Sequence, residues 1–329
     1  MRYRIDVIAS PKGVAISKLF FFLITLLILG GIIFPQNLFS YWEWTPKTNR
    51  WINPKYSVKD TAAEQFAWAE SFAKKGKIDI AIKKHEQLIE HFPISSYTAT
   101  SQYRIGELYL KKGDNLKAFW ALQKVIEDYP QTKFIGKVVT KEFEIANSLF
   151  EGKRRRFAKI PIPGSVKTAE LFEKIVENEP FGKYAAESQY KSGLSYLKEK
   201  NPEGAKEAFQ KVGDNYPKSK WAEKASYRLI LFSSRKKQKI ARDQSYLSET
   251  VDQCKEFKSI YSESEKEKEI DTIIDSAHQK EAEKLFSIGL FYEKKKEKKA
   301  ATIYYQKIIR LYPQTEIAKS AEEKLKKLK

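Results

Sequence analysis

Cysteine, glycine and proline are all scarce in this chain of 329 residues, and each scarcity excludes a class of protein. Cys254 is the only cysteine, so no disulfide can form within the chain. Its place in a helical stretch beside Val251 and Phe257 favours a buried apolar role. With 14 Gly and 12 Pro, the sequence has few residues for the many turns of an all-β protein. Helix-forming residues dominate after residue 60, so the composition predicts an α-rich protein.

Residues that build catalytic or metal sites are missing as well. The three histidines, His85, His91 and His278, have no metal-ligand spacing. No Gly-rich phosphate loop, nucleophile elbow or zinc-protease motif occurs. We therefore predict no catalytic residue, no metal, no cofactor and no small-molecule substrate, and the chain is not expected to be an enzyme.

The net charge of +19 is compatible with nucleic acid, an anionic membrane surface or an acidic partner. Most lysines alternate with glutamates at helical spacing, which is typical of a solvated helix face. Three basic runs are exceptions: Lys153–Arg156, Arg235–Lys239 and Lys294–Lys299. No RNA-binding, zinc or leucine-zipper pattern accompanies these runs. Nucleic acid is therefore not expected as a partner.

One hydrophobic segment stands near the N-terminus. Residues 19–34, LFFFLITLLILGGIIF, contain no charge, and their length lies between that of a signal-peptide core and a membrane span of about 20 residues. The balance of charges is +3 before the segment and +1 over 36–50, which leaves the body of the protein outside the cytoplasm. Trp42, Trp44 and Trp51 suit a membrane interface, or else pack on the first repeat.

Processing of this segment has two possible outcomes. Leu38 is a poor residue before a cleavage site at Ser40, and no lipobox cysteine follows the apolar run. We predict an uncleaved signal-anchor, a transmembrane helix, over residues 1–40, with a cleaved signal peptide as the alternative. Residues 41–60 are predicted to be a linker.

Similar phrases that end in proline recur through the rest of the chain. They are EQLIEHFP, QKVIEDYP, EKIVENEP, QKVGDNYP and QKIIRLYP, which end at Pro93, Pro130, Pro180, Pro217 and Pro313. Three units carry the spacing typical of the tetratricopeptide repeat, with small and aromatic residues at fixed distances before the proline. The matching positions are Gly106, Tyr109, Ala118 and Pro130; Gly193, Tyr196, Ala205, Phe209 and Pro217; and Gly289, Tyr292, Ala301 and Pro313.

This spacing predicts an all-α protein, a tetratricopeptide-repeat solenoid of about five to six helix hairpins behind one N-terminal hydrophobic helix. The repeat domain should span 61–329. Its hairpins are predicted near 62–95, 99–132, 138–182, 186–219, 222–261 and 282–315. Within 235–285, the stretch EKEKEIDTIIDSAHQKEAEKLF predicts one long helix.

An aromatic residue recurs three positions before the Gly or Ala of each hairpin. These residues are Phe66, Tyr103, Tyr190 and Phe286, with Tyr227 in the same register. Such a ladder predicts a groove that grips an extended peptide through its apolar side chains. The alternative is that the rings pack between adjacent helices as core.

The third hairpin carries an insertion over 152–166, GKRRRFAKIPIPGSV. Its prolines cannot lie in a helix interior, so a projecting loop is predicted. The candidate contact residues of this loop are Arg154, Arg155, Arg156, Ile160 and Ile162. A tolerated insertion without function is the alternative.

The arrangement over about residues 60–329 resembles the BamD family of outer-membrane protein assembly factors. The likeness lies in AEQFAWAESFAKKGKIDIAIKKHEQLIEHFP, QYRIGELYLKKGD, KEFEIANSLF with the inserted loop after it, AELFEKIVENEP and the last repeat. The resemblance implies a periplasmic scaffold that helps to insert β-barrel proteins into the outer membrane. It would bind unfolded outer-membrane proteins through 62–130, and the POTRA domains of the barrel-assembly protein through the last repeats.

Two departures from that family leave an alternative open. No lipobox cysteine is present, and 186–217 forms an additional hairpin. The alternative is a membrane-tethered tetratricopeptide scaffold of an envelope or cell-division complex, similar to YbgF. Either function predicts a protein-binding scaffold of the cell envelope that faces the periplasm and is anchored in one of the two membranes.

Overall fold

The computed structural model describes residues 43–45, 50–52, 58–152, 167–235 and 245–328. Across these ranges, thirteen α-helices follow one two-stranded antiparallel ribbon. Strand β1 (Glu43–Thr45) pairs with strand β2 (Arg50–Ile52), and Trp44 stands opposite Trp51. The ribbon falls within the predicted linker 41–60, where no strand was predicted.

The helices follow one another through short turns, so that neighbours in sequence are antiparallel. They are α1 (Ala62–Lys74), α2 (Ile78–His91), α3 (Tyr97–Lys112), α4 (Asn115–Asp128), α5 (Ile135–Phe150), α6 (Thr168–Asn178), α7 (Ala185–Lys198), α8 (Pro202–Asn215), α9 (Lys220–Arg235), α10 (Ser245–Ile260), α11 (Glu267–Lys294), α12 (Lys298–Leu311) and α13 (Glu316–Leu328).

These helices form six consecutive hairpins, closed by α13. Each helix packs mainly on the helix before it and the helix after it. We refer to the first helix of a hairpin as A and to the second as B, so that α1 and α2 are the A and B helices of hairpin 1. The all-α, tetratricopeptide-like architecture that the sequence predicts is therefore confirmed for the described residues.

Glycine permits the two helices of a hairpin to approach closely. A Cβ atom at Gly106 would lie 2.7 Å from Leu122, one at Gly193 2.6 Å from Phe209, and one at Gly289 2.5 Å from Tyr305. These distances are below van der Waals contact, so a side chain at these positions would push the helices apart.

The long helix predicted before the last proline is present as α11, with 28 residues. It packs on α10, α12 and α13 and so joins hairpin 5 to the last hairpin. Cys254 of α10 is fully buried beside Phe257 and Ile230. Burial raises the pKa of its thiol to about 11, which suits an apolar packing role rather than a reactive one.

Two predicted features lie outside the described residues. They are the hydrophobic segment 19–34 and the loop residues Arg154, Arg155, Arg156, Ile160 and Ile162. Among the helices that the structure describes, none combines the length and the apolar character needed to cross a membrane.

Candidate protein-binding surface

The five aromatic residues predicted to line the groove take part in packing between helices. Tyr103 and Tyr190 are 9% and 7% exposed. Each ring contacts the aromatic ring at the start of the next A helix. The ring centroids of Tyr103 and Phe134 lie 5.0 Å apart, and those of Tyr190 and Trp221 lie 5.2 Å apart. Tyr103 and Tyr190 therefore hold successive hairpins together, which is the alternative that the sequence left open.

The other three predicted rings are only partly buried. The ring centroid of Phe66 lies 5.3 Å from the ring centroids of both His85 and Tyr97. Phe286 lies 5.4 Å from Tyr305 within its own hairpin.

The hydroxyl of Tyr227 donates a hydrogen bond to Glu269, and the Lys266 ammonium lies 5.3 Å from its ring centroid. Part of the Phe66, Tyr227 and Phe286 rings stays open to solvent, so the predicted contact with a peptide remains a prediction for these three.

Sequence reasoning missed the corresponding ring of hairpin 3. Phe143 lies three positions before Ala146 and stacks on Tyr184 at 4.2 Å. The same spacing rule identifies it, because Phe143 precedes Ala146 as Phe66 precedes Ala69 in hairpin 1. The aromatic contact between hairpins thus recurs in four successive steps, from Phe66 to Trp221.

Ion pairs join the A helices of hairpins 1, 2 and 3. Arg104 of α3 binds both carboxylate oxygens of Glu70 of α1, at 2.7 and 2.8 Å. Its third contact, from Nη1, reaches Glu107 at 2.6 Å, and Lys141 of α5 approaches Glu107 at 3.4 Å. Bidentate arginine–carboxylate pairs fix geometry as well as charge. The charges of Glu70 and Glu107 on this part of the A-helix surface are therefore balanced by Arg104 and Lys141 of the same surface.

His85 of α2 contacts the same ion-pair network through Glu70. Its Nε2 lies 3.2 Å from Glu70, and its Nδ1 lies 3.3 Å from the hydroxyl of Ser101. The ring is fully buried, and this burial lowers the pKa of His85 to about 4 although Glu70 opposes the shift. A neutral ring can donate to Glu70 from Nε2 and accept from Ser101 at Nδ1, which satisfies both nitrogens.

A cavity of about 410 Å³ opens between α7, α8 and α9. Leu197, Leu231 and Phe232 form its apolar lining, and Arg228 and Lys206 bring two cations to it. Glu203 is the one carboxylate among the lining residues, with Ser233 completing them. We call this cavity the Arg228 pocket.

The Arg228 pocket has the size and composition of a ligand site. Ligand pockets have volumes of roughly 300 to 1,000 Å³ and combine apolar walls with a few polar groups. Apolar walls next to a guanidinium suit a ligand with an apolar side chain and a carboxylate, because the guanidinium binds a carboxylate in a bidentate manner. Sequence reasoning did not find this pocket, since its lining comes from three helices without a shared motif.

A second cavity of about 410 Å³ lies between α6, α7 and α8. Its charged groups already bind one another: Tyr196 donates to Glu173 at 2.7 Å, and Lys211 pairs with Glu207 at 2.8 Å. Nothing in this cavity provides an apolar anchor comparable to Phe232 and Leu231. Across the described residues, no three His, Cys, Asp or Glu side chains are placed to hold a metal ion.

Comparison with known families gives two matches. The YfiO family, described as outer membrane lipoprotein, matches residues 163–328, and a tetratricopeptide repeat family matches residues 100–132. The first match covers half of the chain and includes all lining residues of the Arg228 pocket. No curated protein matches the chain.

The solved structures that match this chain have low sequence identity with it. A tetratricopeptide repeat protein from Parabacteroides merdae is 14% identical, with 81% of this chain and 98% of that chain covered and a TM-score of 0.29. MamA from Desulfovibrio magneticus RS-1 is 16% identical, with 64% and 99% covered and a TM-score of 0.29. PilF of Pseudomonas aeruginosa is 12% identical, with 80% and 97% covered and a TM-score of 0.26. Scores this low support no inference about function.

Proposed function

Because the chain belongs to the YfiO family of outer membrane lipoproteins, we propose that it is a periplasmic scaffold that binds other proteins while β-barrel proteins are assembled and inserted into the outer membrane. The family match carries this proposal. The solenoid supports it, since stacked hairpins present long surfaces for protein partners. The proposed partners are unfolded outer-membrane proteins and the POTRA domains of the barrel-assembly protein.

The proposed attachment to a membrane uses the hydrophobic segment 19–34 rather than a lipid. Cys254 is the only cysteine of the sequence and is fully buried in α10. A buried thiol within a helix offers no site for lipid attachment. Which of the two membranes holds the segment is left open by this proposal.

We assign the Arg228 pocket to the last residue of an unfolded chain. A C-terminal residue with an apolar side chain presents the apolar group and the carboxylate that the pocket lining suits. Leu231 and Phe232 would take the side chain, and Arg228 the carboxylate. This assignment differs from the sequence prediction, which placed substrate at 62–130.

Peptide binding to the full chain tests this assignment. Peptides that end in a phenylalanine with a free carboxylate should bind, and amidation of that carboxylate should weaken binding about tenfold or more, as expected when a charged hydrogen bond is lost. The variant Arg228→Gln should discriminate less between the free and the amidated peptide, and Arg228→Gln combined with Lys206→Gln should bind both equally. Arg310→Gln, an exposed arginine on α12, is the matched control and should bind as the unchanged chain does. Equal binding of the free and the amidated peptide by the unchanged chain would contradict the assignment of the Arg228 pocket to a C-terminal carboxylate.

The wider function is tested by the identity of captured partners. A photo-crosslinker at Leu231 in the native envelope should yield conjugates with β-barrel proteins or with the barrel-assembly protein. Conjugates with cell-wall or division factors instead would support the membrane-tethered scaffold of the alternative and contradict a role in barrel assembly.

A further inference from the structure

The described turns that lead from an A helix to its B helix lie at one edge of the solenoid. This follows from the antiparallel order of the helices, because every A helix runs in the same direction and ends at the same edge. The turns are α1–α2, α3–α4, α7–α8 and α11–α12, and the described end of α5 at Gly152 lies at this edge too. We call it the basic edge.

Lysines concentrate at this edge in every described turn. They occur at 74–77, 111–112, 198–200 and 294–299, and all of these lysines are exposed. Lys112 pairs with Asp79, and Lys198 donates a hydrogen bond to the backbone carbonyl of Phe150. The solenoid thus brings together basic residues that are far apart in the sequence. The basic run 235–239 begins where another A helix, α9, ends, and its residues 236–239 lie outside the described residues.

Two of these lysines stand where glycine is preferred. Helices α1, α3, α7 and α11 end in Schellman motifs, in which a residue at the helix end takes a left-handed conformation. Gly76 and Gly113 take this conformation after α1 and α3, with φ of 72° and 87°, and Gly152 takes it after α5 with φ of 68°. In the remaining two turns, Lys200 and Lys296 take it with φ of 60° and 62°, and they are the only described non-glycine residues with positive φ.

A lysine at this position is unfavourable for folding. A side chain in the left-handed conformation clashes with the backbone, and glycine avoids that clash. The helix dipole accounts for lysines in the last helical turn, such as Lys198 and Lys294, but it does not require a lysine in the strained position. Strained residues that persist point to a function. The property that Lys200 and Lys296 share is a positive charge, which motivates a hypothesis in which that charge binds a partner.

An exposed aromatic ring accompanies the charge. Phe291 of α11 is 55% exposed and lies 5.9 Å from the ammonium of Lys295, and the neighbouring Leu290 is 38% exposed. An apolar side chain among lysines is typical of surfaces that rest on the headgroup region of a bilayer. Single-stranded nucleic acid would instead require a groove with a series of exposed rings, and no such series lies along the described part of this edge.

We propose that the basic edge binds the surface of a membrane rich in anionic phospholipid, with the lysines at the phosphates and Phe291 among the headgroups. The lysines are spread over separate turns along the length of the solenoid, which suits an extended charged plane better than a compact acidic site. Each lysine near such a surface increases binding about fivefold, and the contribution disappears beyond about 10 Å at 0.1 M salt. This function is separate from the binding of proteins in the Arg228 pocket.

Vesicle binding by the full chain tests this proposal. Binding is measured to vesicles of phosphatidylcholine alone and to vesicles that also contain phosphatidylglycerol, and the ratio of the two partition coefficients cancels the contribution of the hydrophobic segment 19–34. The test variant combines Lys75→Gln, Lys200→Gly and Lys296→Gly. It should reduce the ratio about a hundredfold, as expected for three lysines. Its thermal midpoint should not fall, because two of the changes relieve strain, so a loss of binding cannot be ascribed to unfolding.

The matched control removes three lysines from the opposite edge, in the turns that lead from B helices to A helices. Lys133→Gln, Lys183→Gln and Lys218→Gln change the net charge by the same amount and should leave the ratio unchanged. Equal losses in both variants would show that net charge alone matters, and an unchanged ratio in the test variant would show that the edge does not touch lipid. Binding of polyglutamate that depends on the basic edge, without binding of anionic vesicles, would identify an acidic protein as the partner and overturn the proposal.

Discussion

Replacing Glu142 by Gln should stabilise hairpin 3 at neutral and alkaline pH. Glu142 of α5 is fully buried. Its Oε2 accepts a hydrogen bond from Asn178 at 3.0 Å, while its Oε1 has no partner among the described residues. The carboxylates of Glu127 on α4 and Glu179 after α6 lie close enough to repel a negative charge on Glu142. No cation offsets them in the described structure.

The magnitude follows from the pKa. Burial, with smaller contributions from Glu127 and Glu179, raises the pKa of Glu142 from 4.5 to about 8, although Asn178 opposes the shift. The folded state therefore binds a proton that the unfolded chain releases. Stability is highest below pH 4.5 and falls as the pH rises towards 8. Since one pH unit corresponds to about 1.4 kcal/mol, this group costs the folded protein on the order of 3 kcal/mol at pH 7.

The assay is urea unfolding of the full chain over a series of pH values between pH 4 and pH 9. The free energy of unfolding of Glu142→Gln should exceed that of the unchanged chain increasingly as the pH rises, and the two should converge near pH 4. Glu144→Gln is the matched control, since Glu144 lies on the same helix with an exposed side chain. Parallel curves for Glu142→Gln and the unchanged chain would contradict a raised pKa, because they would mean that Glu142 ionises normally in the folded state.

Three further predictions concern packing, protonation and strain. Gly193→Ala should destabilise the protein by about 1 to 3 kcal/mol, because the new Cβ would lie 2.6 Å from Phe209. A Cβ at Gly213 meets no neighbour within 4 Å, so Gly213→Ala should stabilise α8 by about 0.5 to 1 kcal/mol. Thermal unfolding of the two variants measures both effects. His85 should titrate near pH 4 by NMR, and its contribution to stability, present above pH 6.5, should be lost as the pH falls towards 4; a midpoint near 6.5 would contradict its burial. Lys200→Gly should raise the free energy of unfolding by about 1 kcal/mol, and an unchanged or lower value would show that its backbone is not strained.

Sequence periodicity was sufficient for the repeat but not for the role of its aromatic residues. The Gly at 106, 193 and 289 marks close helix contact, and the structure has that contact at each position. The rings three positions earlier could line a groove or join hairpins, since both roles place an aromatic at the same point of the helix. The choice depends on the residue that opens the next hairpin, such as Phe134 opposite Tyr103, and this contact lies between units rather than within one.

The pocket and the strained lysines could not be predicted from local patterns. The Arg228 pocket depends on how α7, α8 and α9 meet, and its lining residues come from three helices that share no common spacing. The position of Lys200 could have been aligned with Gly113, because both follow the end of an A helix. That alignment requires the position of each helix end to be known to within one residue, and sequence patterns place helix ends less accurately than this.

We propose that the Arg228 pocket holds the C-terminus of an unfolded outer-membrane protein. The most direct measurement is photo-crosslinking in the native envelope from Leu231, compared with the same crosslinker at Ile303, an exposed apolar residue on α12 that is 63% exposed. We expect conjugates from position 231 whose crosslinked peptide is the C-terminal segment of a β-barrel protein, and none from position 303. Conjugates at internal or soluble-protein sequences, or equal yields from both positions, would contradict it.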